Sequence, residues 1–389
     1  MQILKKKILF FFIFLLSICS EELPAQDTTG TISKLKKLSM VELMNIEVIS
    51  ATGMGQKITE APSTMMVITA AMIEERGYQQ IDDVLRDIPG VDVIRIHGQA
   101  PSFITFRGMY GDENRRMLFL IDGVIENNIM GGFEFAGPAY SLHNIERIEI
   151  TWGPTSAYYG ANSFSAVINL ITKKGSGLNG FEYEKGYGSF NTSTDNLSMG
   201  LKKNNIEFSL SGSRYNSDGP RFSNRHPQYS NSYINNAWSF NGNFTYTKSI
   251  LKTTLGIRSY TTPGGQGELA ASPTQLLGLP TAGNENTGSG GAMQADFNRE
   301  KPSLADLYAR TIFIHNEISP DLKNKKNGSG ITFFVKAQYR ETGRSDKSYA
   351  YVNNTGTNYL SRNPIVYHAN RIKGEISSNY FINKMHSVS

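Results

Sequence analysis

The sequence predicts an α+β domain followed by antiparallel transmembrane β strands, and three observations carry that prediction. The N-terminus opens on a charged and then apolar leader. A stretch of mixed helical and strand patterning follows. From Gly175 onward the chain breaks into strand-length segments in which apolar and polar residues alternate.

The leader comes first. Lys5, Lys6 and Lys7 form a charged start, Ile8 to Ile18 form an apolar run, and Leu23-Pro24-Ala25 offers a small residue for cleavage before Gln26. Residues 1–25 therefore read as a signal peptide, and the run is too short to span a bilayer. The rival, a lipoprotein signal ending at Cys19, has Ile18 where a small residue is needed. Cys19 is the only cysteine, so cleavage after Ala25 leaves no disulfide, thiol nucleophile or cysteine metal site. The net charge of +5 is not clustered, which argues against nucleic acid as a partner. No later segment reaches about 18 consecutive apolar residues. An exported chain of this kind is periplasmic, secreted, or a β-barrel of the outer membrane. The 19 Tyr, 21 Phe and 37 Gly favour the barrel.

Residues 26–60 form an N-terminal segment. Ser39 to Asn45 fits one helical turn, with Ser39 as its cap and Glu42 three residues on. Ile46 to Thr52 reads as extended until Gly53 and Gly55 break it. Residues 61–174 read as the α+β domain. Met65 to Ile68 is a strand, Thr69 caps a helix over 70–76 closed by Gly77, and a second helix runs from Ile81 to Asp87 before Pro89-Gly90. Strands are predicted around Val91 to Ile96, Phe103 to Arg107, Met117 to Ile121, Ile145 to Thr151 and Val167 to Thr172. Asp122-Gly123 is a hairpin signal.

Residues 175–389 follow. In Trp238 to Thr247, Trp238, Phe240, Gly242, Phe244 and Tyr246 share one face while the alternate residues are Ser, Asn and Thr. Ile331 to Arg340 repeats the pattern, as do segments near 181–188, 194–201, 206–215, 251–260, 307–317 and 365–380. Tight turns at 202–205 and 248–250 alternate with long polar loops at 216–235, 261–306 and 342–364. Short turns on one side and long loops on the other are the habit of transmembrane barrels.

Several motifs occur together in the α+β region. They include Ile81-Asp82-Asp83-Val84-Leu85-Arg86-Asp87-Ile88-Pro89-Gly90-Val91, Ile104-Thr105-Phe106-Arg107-Gly108 and Leu120-Ile121-Asp122-Gly123-Val124. Ile145-Glu146-Arg147-Ile148-Glu149-Ile150, Gly153-Pro154-Thr155-Ser156-Ala157-Tyr158-Tyr159-Gly160 and Ala166-Val167-Ile168-Asn169-Leu170-Ile171-Thr172 follow. In this order residues 61–174 resemble the plug domain of TonB-dependent receptors, with Ala166 where that family usually has Gly. The resemblance implies an incomplete barrel: about eight strands are present where such receptors close about 22 around the plug. An eight-stranded barrel leaves no room for a domain inside it. The chain is thus expected to be a fragment or a truncated product.

The resemblance further implies a monomeric outer-membrane receptor that imports a scarce solute by energy-coupled movement of the plug. A ferric siderophore is the first expectation. Cobalamin, another metal chelate, or a non-transporting remnant are the alternatives. The partners implied are periplasmic TonB, a small-molecule or metal-chelate ligand and outer-membrane lipid. Glu47, Val48, Ile49, Ser50, Ala51 and Thr52 are the expected TonB-binding strand, able to add to a sheet edge. Arg107 and Arg147 are expected to meet barrel carboxylates in a polar latch. Arg95, His97, Gln99, Asn127, Asn128, Phe133 and Phe135 are the expected solute contacts, with the 261–306 loop beside them. No phosphate loop, nucleophile elbow or His-Glu helix motif occurs, and the six histidines lack ligand spacing. Neither enzymatic activity, a cofactor nor a resident metal is therefore expected.

Overall fold

A computed structural model describes residues 47–48, 56–57, 63–94, 103–109, 116–129, 137–138, 140–153, 155, 159–160, 162–178, 180–218, 234–263, 305–320, 330–346, 351–352, 358–359, 367–381 and 387–388. The leader, the Ser39 to Asn45 turn and most of the three long loops lie outside the described residues.

Strands β1 (Glu47–Val48) and β2 (Gln56–Lys57) pair antiparallel. The α+β domain then runs through β3 (Thr64–Thr69), α1 (Ala70–Glu75), α2 (Ile81–Arg86), β4 (Val91–Ile94), β5 (Phe103–Phe106), β6 (Met117–Ile121), β7 (Val124–Ile125), β8 (Ile145–Trp152) and β9 (Ala166–Thr172). Helix α1 begins where the Thr69 hydroxyl accepts the Met72 amide at 3.3 Å, and the chain leaves it through Gly77 at φ +67°. At the start of α2 the Asp83 carboxylate accepts the Gln80 amide at 3.0 Å. Five strands form one sheet in the order β3-β8-β9-β6-β7, with only the β6–β9 pairing parallel. Strand β6 is apolar throughout and β9 is buried along its whole length, with Asn169 and Thr172 its polar residues, because both faces of the sheet are covered. Ile81, Val84, Leu85, Phe106, Phe119, Ile148, Ile150 and Ile168 pack one core between helices and sheet.

A one-turn helix, α3 (Gly175–Leu178), joins this domain to the second sheet. Gly175 sits against the wall so closely that a Cβ there would overlap the Phe208 carbonyl oxygen and lie 2.6 Å from that of Leu201. The sheet contains β10 (Gly180–Gly188), β11 (Thr192–Lys203), β12 (Ile206–Ser217), β13 (Ile234–Lys248), β14 (Leu251–Pro263), β15 (Ala305–Ile318) and β16 (Gly330–Asp346). Strands β17 (Tyr351–Val352) and β18 (Asn358–Tyr359) pair with each other, and β19 (Tyr367–Phe381) and β20 (Ser387–Val388) complete the wall. Neighbours in this wall are neighbours in sequence apart from the β17–β18 pair, and all are antiparallel. Among the described residues it has eight long strands and is not closed. The strands run past the predicted segments, reaching 17 residues in β16.

Register explains the alternation. Phe181, Met199, Leu210, Gly242, Ile257, Ile312, Tyr339 and Ile372 stand opposite one another in one row across all eight strands. Next to it runs Glu182, Ser198, Ser211, Asn241, Arg258, Thr311, Arg340 and Arg371. The apolar row is the exposed one, with Ile312 at 53% and Ile372 at 82%, whereas Ser198, Thr311 and Arg340 are buried. Apolar residues out and polar residues in is the inverse of a water-soluble sheet, and it suits a wall facing lipid. No helix among the described residues is long and apolar enough to cross a membrane.

Candidate functional site: a charged latch between plug and wall

The inward polar row meets the plug at one hairpin. Asp122 and Gly123 both have positive φ, +49° and +76°, as a two-residue type I′ turn requires. Beyond the turn the Glu126 amide donates to the Phe119 carbonyl at 2.9 Å, so the hairpin continues past β7. Asn127 fastens it: its Oδ1 accepts the Phe119 amide at 2.8 Å and its Nδ2 donates to the Met117 carbonyl at 3.0 Å. Asp122 and Glu126 are thereby aimed at the wall.

Two arginines of the wall receive them. Arg258 on β14 donates from Nη1 to Glu126 at 3.1 Å and from Nη2 to Asp122 at 3.0 Å. Arg340 on β16 donates to the Glu126 carboxylate and its carbonyl, to the Asn127 carbonyl at 3.2 Å and to the Thr311 hydroxyl at 2.7 Å. Thr311 in turn donates to Glu126 at 3.2 Å. Gln338 donates to the Ile125 carbonyl at 2.9 Å, and Thr342 accepts the Ile129 amide at 3.3 Å. Glu126 and Arg340 are almost wholly buried, so neither charge is tolerable without the other. The Arg258 guanidinium also lies 4.6 Å from the Phe313 ring centre.

Asp122 is shared with the plug's own last strand. Its carboxylate accepts from the Thr172 amide at 3.0 Å, the Thr172 hydroxyl at 2.8 Å and Lys174 at 2.9 Å. Burial alone works to raise this carboxyl, but the charges of Lys174 and Arg258 and the bonds from Lys174 and Thr172 outweigh it. They hold it at about 2, against 3.8 for a free aspartate.

Other contacts fix the neighbouring plug segment. Tyr140 donates to the Tyr260 hydroxyl at 3.1 Å, Ser141 to Asn196 at 3.3 Å, and Asn144 to Ser211. His143 lies 2.9 Å from Glu184 and 3.9 Å from Glu182, both on β10. The plug thus offers acids to the arginine-bearing strands and a histidine to the acid-bearing strand. Ser176 in α3 donates to Glu207 from its amide at 2.8 Å and from its hydroxyl at 2.6 Å.

The sequence expectations fare unevenly. The latch among the described residues is built from other residues and with the opposite polarity: plug carboxylates Asp122 and Glu126 meet wall arginines Arg258 and Arg340. Arg147 is held within the plug by Glu149 and Glu146, each at 2.9 Å, because Glu149 lies two residues on along the same strand and is fully buried. Arg107 is exposed at φ +51° in the turn after β5. Asn127 is not free to meet a solute, since its amide is buried and both its ends are bound to β6 main chain. Asn128 is half-buried beside it. Glu47 and Val48 form β1, while Ile49, Ser50, Ala51, Thr52, Arg95, His97, Gln99, Phe133 and Phe135 lie outside the described residues. Sequence reasoning missed Asp122, Glu126, Arg258 and Arg340. The signal for the arginines was present, since Arg258 follows outward Ile257 and Arg340 follows outward Tyr339.

Comparison with known proteins bears on the family and the fold. The family model of the TonB-dependent receptor plug domain matches residues 57–167. The vitamin B12 transporter BtuB of Vibrio vulnificus is 32% identical over 149 residues, which is 38% of this chain and 24% of that protein. The iron-regulated outer membrane virulence protein of Vibrio cholerae is 35% identical over 133 residues, 33% of this chain and 20% of that protein. Among solved structures, the pyoverdine receptor FpvA of Pseudomonas aeruginosa PAO1 superposes with TM-score 0.60 at 18% identity, covering 87% of this chain and 46% of that one. The ferric-catecholate import receptor Fiu of E. coli gives TM-score 0.53 at 16% identity, covering 84% and 46%. At such identities the structural likeness speaks for the fold alone. The matches span about a quarter of the curated relatives and less than half of these solved structures.

Proposed function

We propose that this chain, with its plug-like domain and antiparallel wall, belongs to a TonB-dependent receptor that imports a scarce solute across the outer membrane by energy-coupled movement of the plug. The observation that carries this reading is the buried latch of Asp122 and Glu126 with Arg258 and Arg340. It keys a folded domain against the polar face of a wall whose other face suits lipid. A wide lumen left open would leak, and a folded plug stops it. The outer membrane has no nucleotide supply, so displacement needs work delivered by contact from the inner membrane, the role assigned here to TonB.

The solute proposed first is a ferric siderophore, in keeping with the iron-related names of several relatives, and cobalamin is second, in keeping with BtuB. The leader at 1–25 is the proposed export signal, and Glu47 to Thr52 the proposed TonB contact. Among the described residues β1 is extended and pairs antiparallel with β2, the kind of backbone that can add to a partner's sheet edge. Arg95, His97, Gln99, Asn128, Phe133 and Phe135 remain the proposed solute contacts.

The test is uptake of radiolabelled ferric siderophore and cobalamin by cells carrying the complete gene, with and without TonB. Uptake of either that stops when TonB is removed is the expected result. Uptake of neither, or uptake indifferent to TonB, overturns the reading. Val48→Pro is expected to abolish capture of the receptor by purified TonB, and unchanged capture sinks the strand assignment.

A further inference from the structure

The wall arginine that bridges both latch acids rests on an aromatic ring. Arg258 on β14 stands opposite Thr311 on β15, and Gly256, two residues back on the same inward face, stands opposite Phe313. Phe313 is therefore the diagonal neighbour of Arg258, within reach of a long side chain. Its ring is buried and lies over Gly256. A Cβ on that glycine would overlap the ring carbons Cζ and Cε1 and sit 2.8 Å from Asn243 Oδ1. Because position 256 is bare, the ring can occupy that space and carry the Arg258 guanidinium 4.6 Å from its centre. The terminal nitrogens of Arg258 go to Glu126 and Asp122. Among the described residues its Nε is shielded from solvent and has no hydrogen-bond partner. A buried guanidinium nitrogen without an acceptor is unfavourable, and a nearby aromatic face offsets part of that.

We propose that Phe313, laid over Gly256, is a positioning residue of the latch: it holds the Arg258 fork where it spans Asp122 and Glu126. The grip of the wall on the plug hairpin then depends on two uncharged wall residues as well as on the charges themselves. The positioning rests on the latch geometry alone. Under the receptor reading, the ring also sets part of the resistance that plug movement has to overcome.

The test is amide exchange of the full chain in detergent micelles, read at Glu126 and Phe119, with Val84 and Leu85 as the control for the plug core. Phe313→Leu keeps an apolar side chain and removes the aromatic face. It is expected to speed hairpin exchange about tenfold, the worth of a desolvated cation–π contact. Gly256→Ala, which displaces the ring, is expected to have a similar effect and to add nothing once Phe313→Leu is present. In an Arg258→Gln background Phe313→Leu is expected to change nothing further at the hairpin, since the ring acts through the guanidinium. Parent-like hairpin exchange in Phe313→Leu or in Gly256→Ala overturns the proposal. An equal effect of Phe313→Leu with and without Arg258 also overturns it, since that marks the ring as packing alone. So does faster exchange at Val84 and Leu85 in step with the hairpin. TonB-dependent uptake judges the receptor reading separately, so the two can fail independently.

Discussion

Replacing Glu126 by Gln removes one charge and keeps the shape of the side chain. In the native latch Glu126 accepts from Arg258 at 3.1 Å, from Thr311 at 3.2 Å and from Arg340, at 1% side-chain exposure. Arg258 retains Asp122 at 3.0 Å, so its loss is partial. Arg340 is fully buried and keeps the Asn127 carbonyl and the Thr311 hydroxyl as acceptors. Breaking a buried pair from one side costs about 3–5 kcal/mol, and the remaining acceptors place this case near the lower end, about 3 kcal/mol. Amide exchange reads that directly. The Glu126 and Phe119 amides are bonded across the hairpin, so Glu126→Gln should speed their exchange by roughly two orders of magnitude while the Val84 and Leu85 amides hold steady. Adding Arg340→Gln should return most of the protection, because the orphaned charge goes with it. Unchanged hairpin exchange in the single variant would refute the reasoning. So would a double variant whose loss equals the sum of the two singles.

Further outcomes can be checked on the same protein. Asp122 has a folded pKa of about 2 against 3.8 free, so it contributes about 2 kcal/mol that is fully present above pH 4 and lost as the pH falls to 2. The stability gap between the parent and Asp122→Asn in acid titrations should therefore close across that window. Gly175→Ala sets a Cβ into the Phe208 and Leu201 carbonyls and should cost about 1–3 kcal/mol, read as a lower thermal midpoint. Ile312→Lys places a charge in the outward apolar row and should cost about 2–4 kcal/mol of membrane insertion, measured by folding into liposomes.

Much of the architecture was legible because it is written in local patterns. Asp122-Gly123 announced its turn, Thr69 its helix, and Trp238 to Thr247 its two faces, and each pattern needs only residues close in sequence. The long strands were undercalled at their ends, where polar residues such as Asn216 and Thr262 still pair in register. The latch was not legible in the same way. Motif position drew attention to Arg107 and Arg147, yet Arg147 found its acids on its own strand. Glu126 meets residues 132 and 214 positions away, and no spacing rule reaches that far. What the sequence did contain was the requirement itself: an arginine on the inward side of a strand needs an acid from whatever fills the interior.

The alternation of the two cross-strand rows has a consequence for assembly. Shifting any hairpin of the wall by one residue turns each of its side chains to the opposite face. A β14–β15–β16 segment threaded that way would carry Arg258 and Arg340 into hydrocarbon, at about 2–4 kcal/mol apiece near the midplane, and hide Ile257, Ile312 and Tyr339 within. The bilayer itself thereby proofreads the pairing frame, a check that does not depend on the plug.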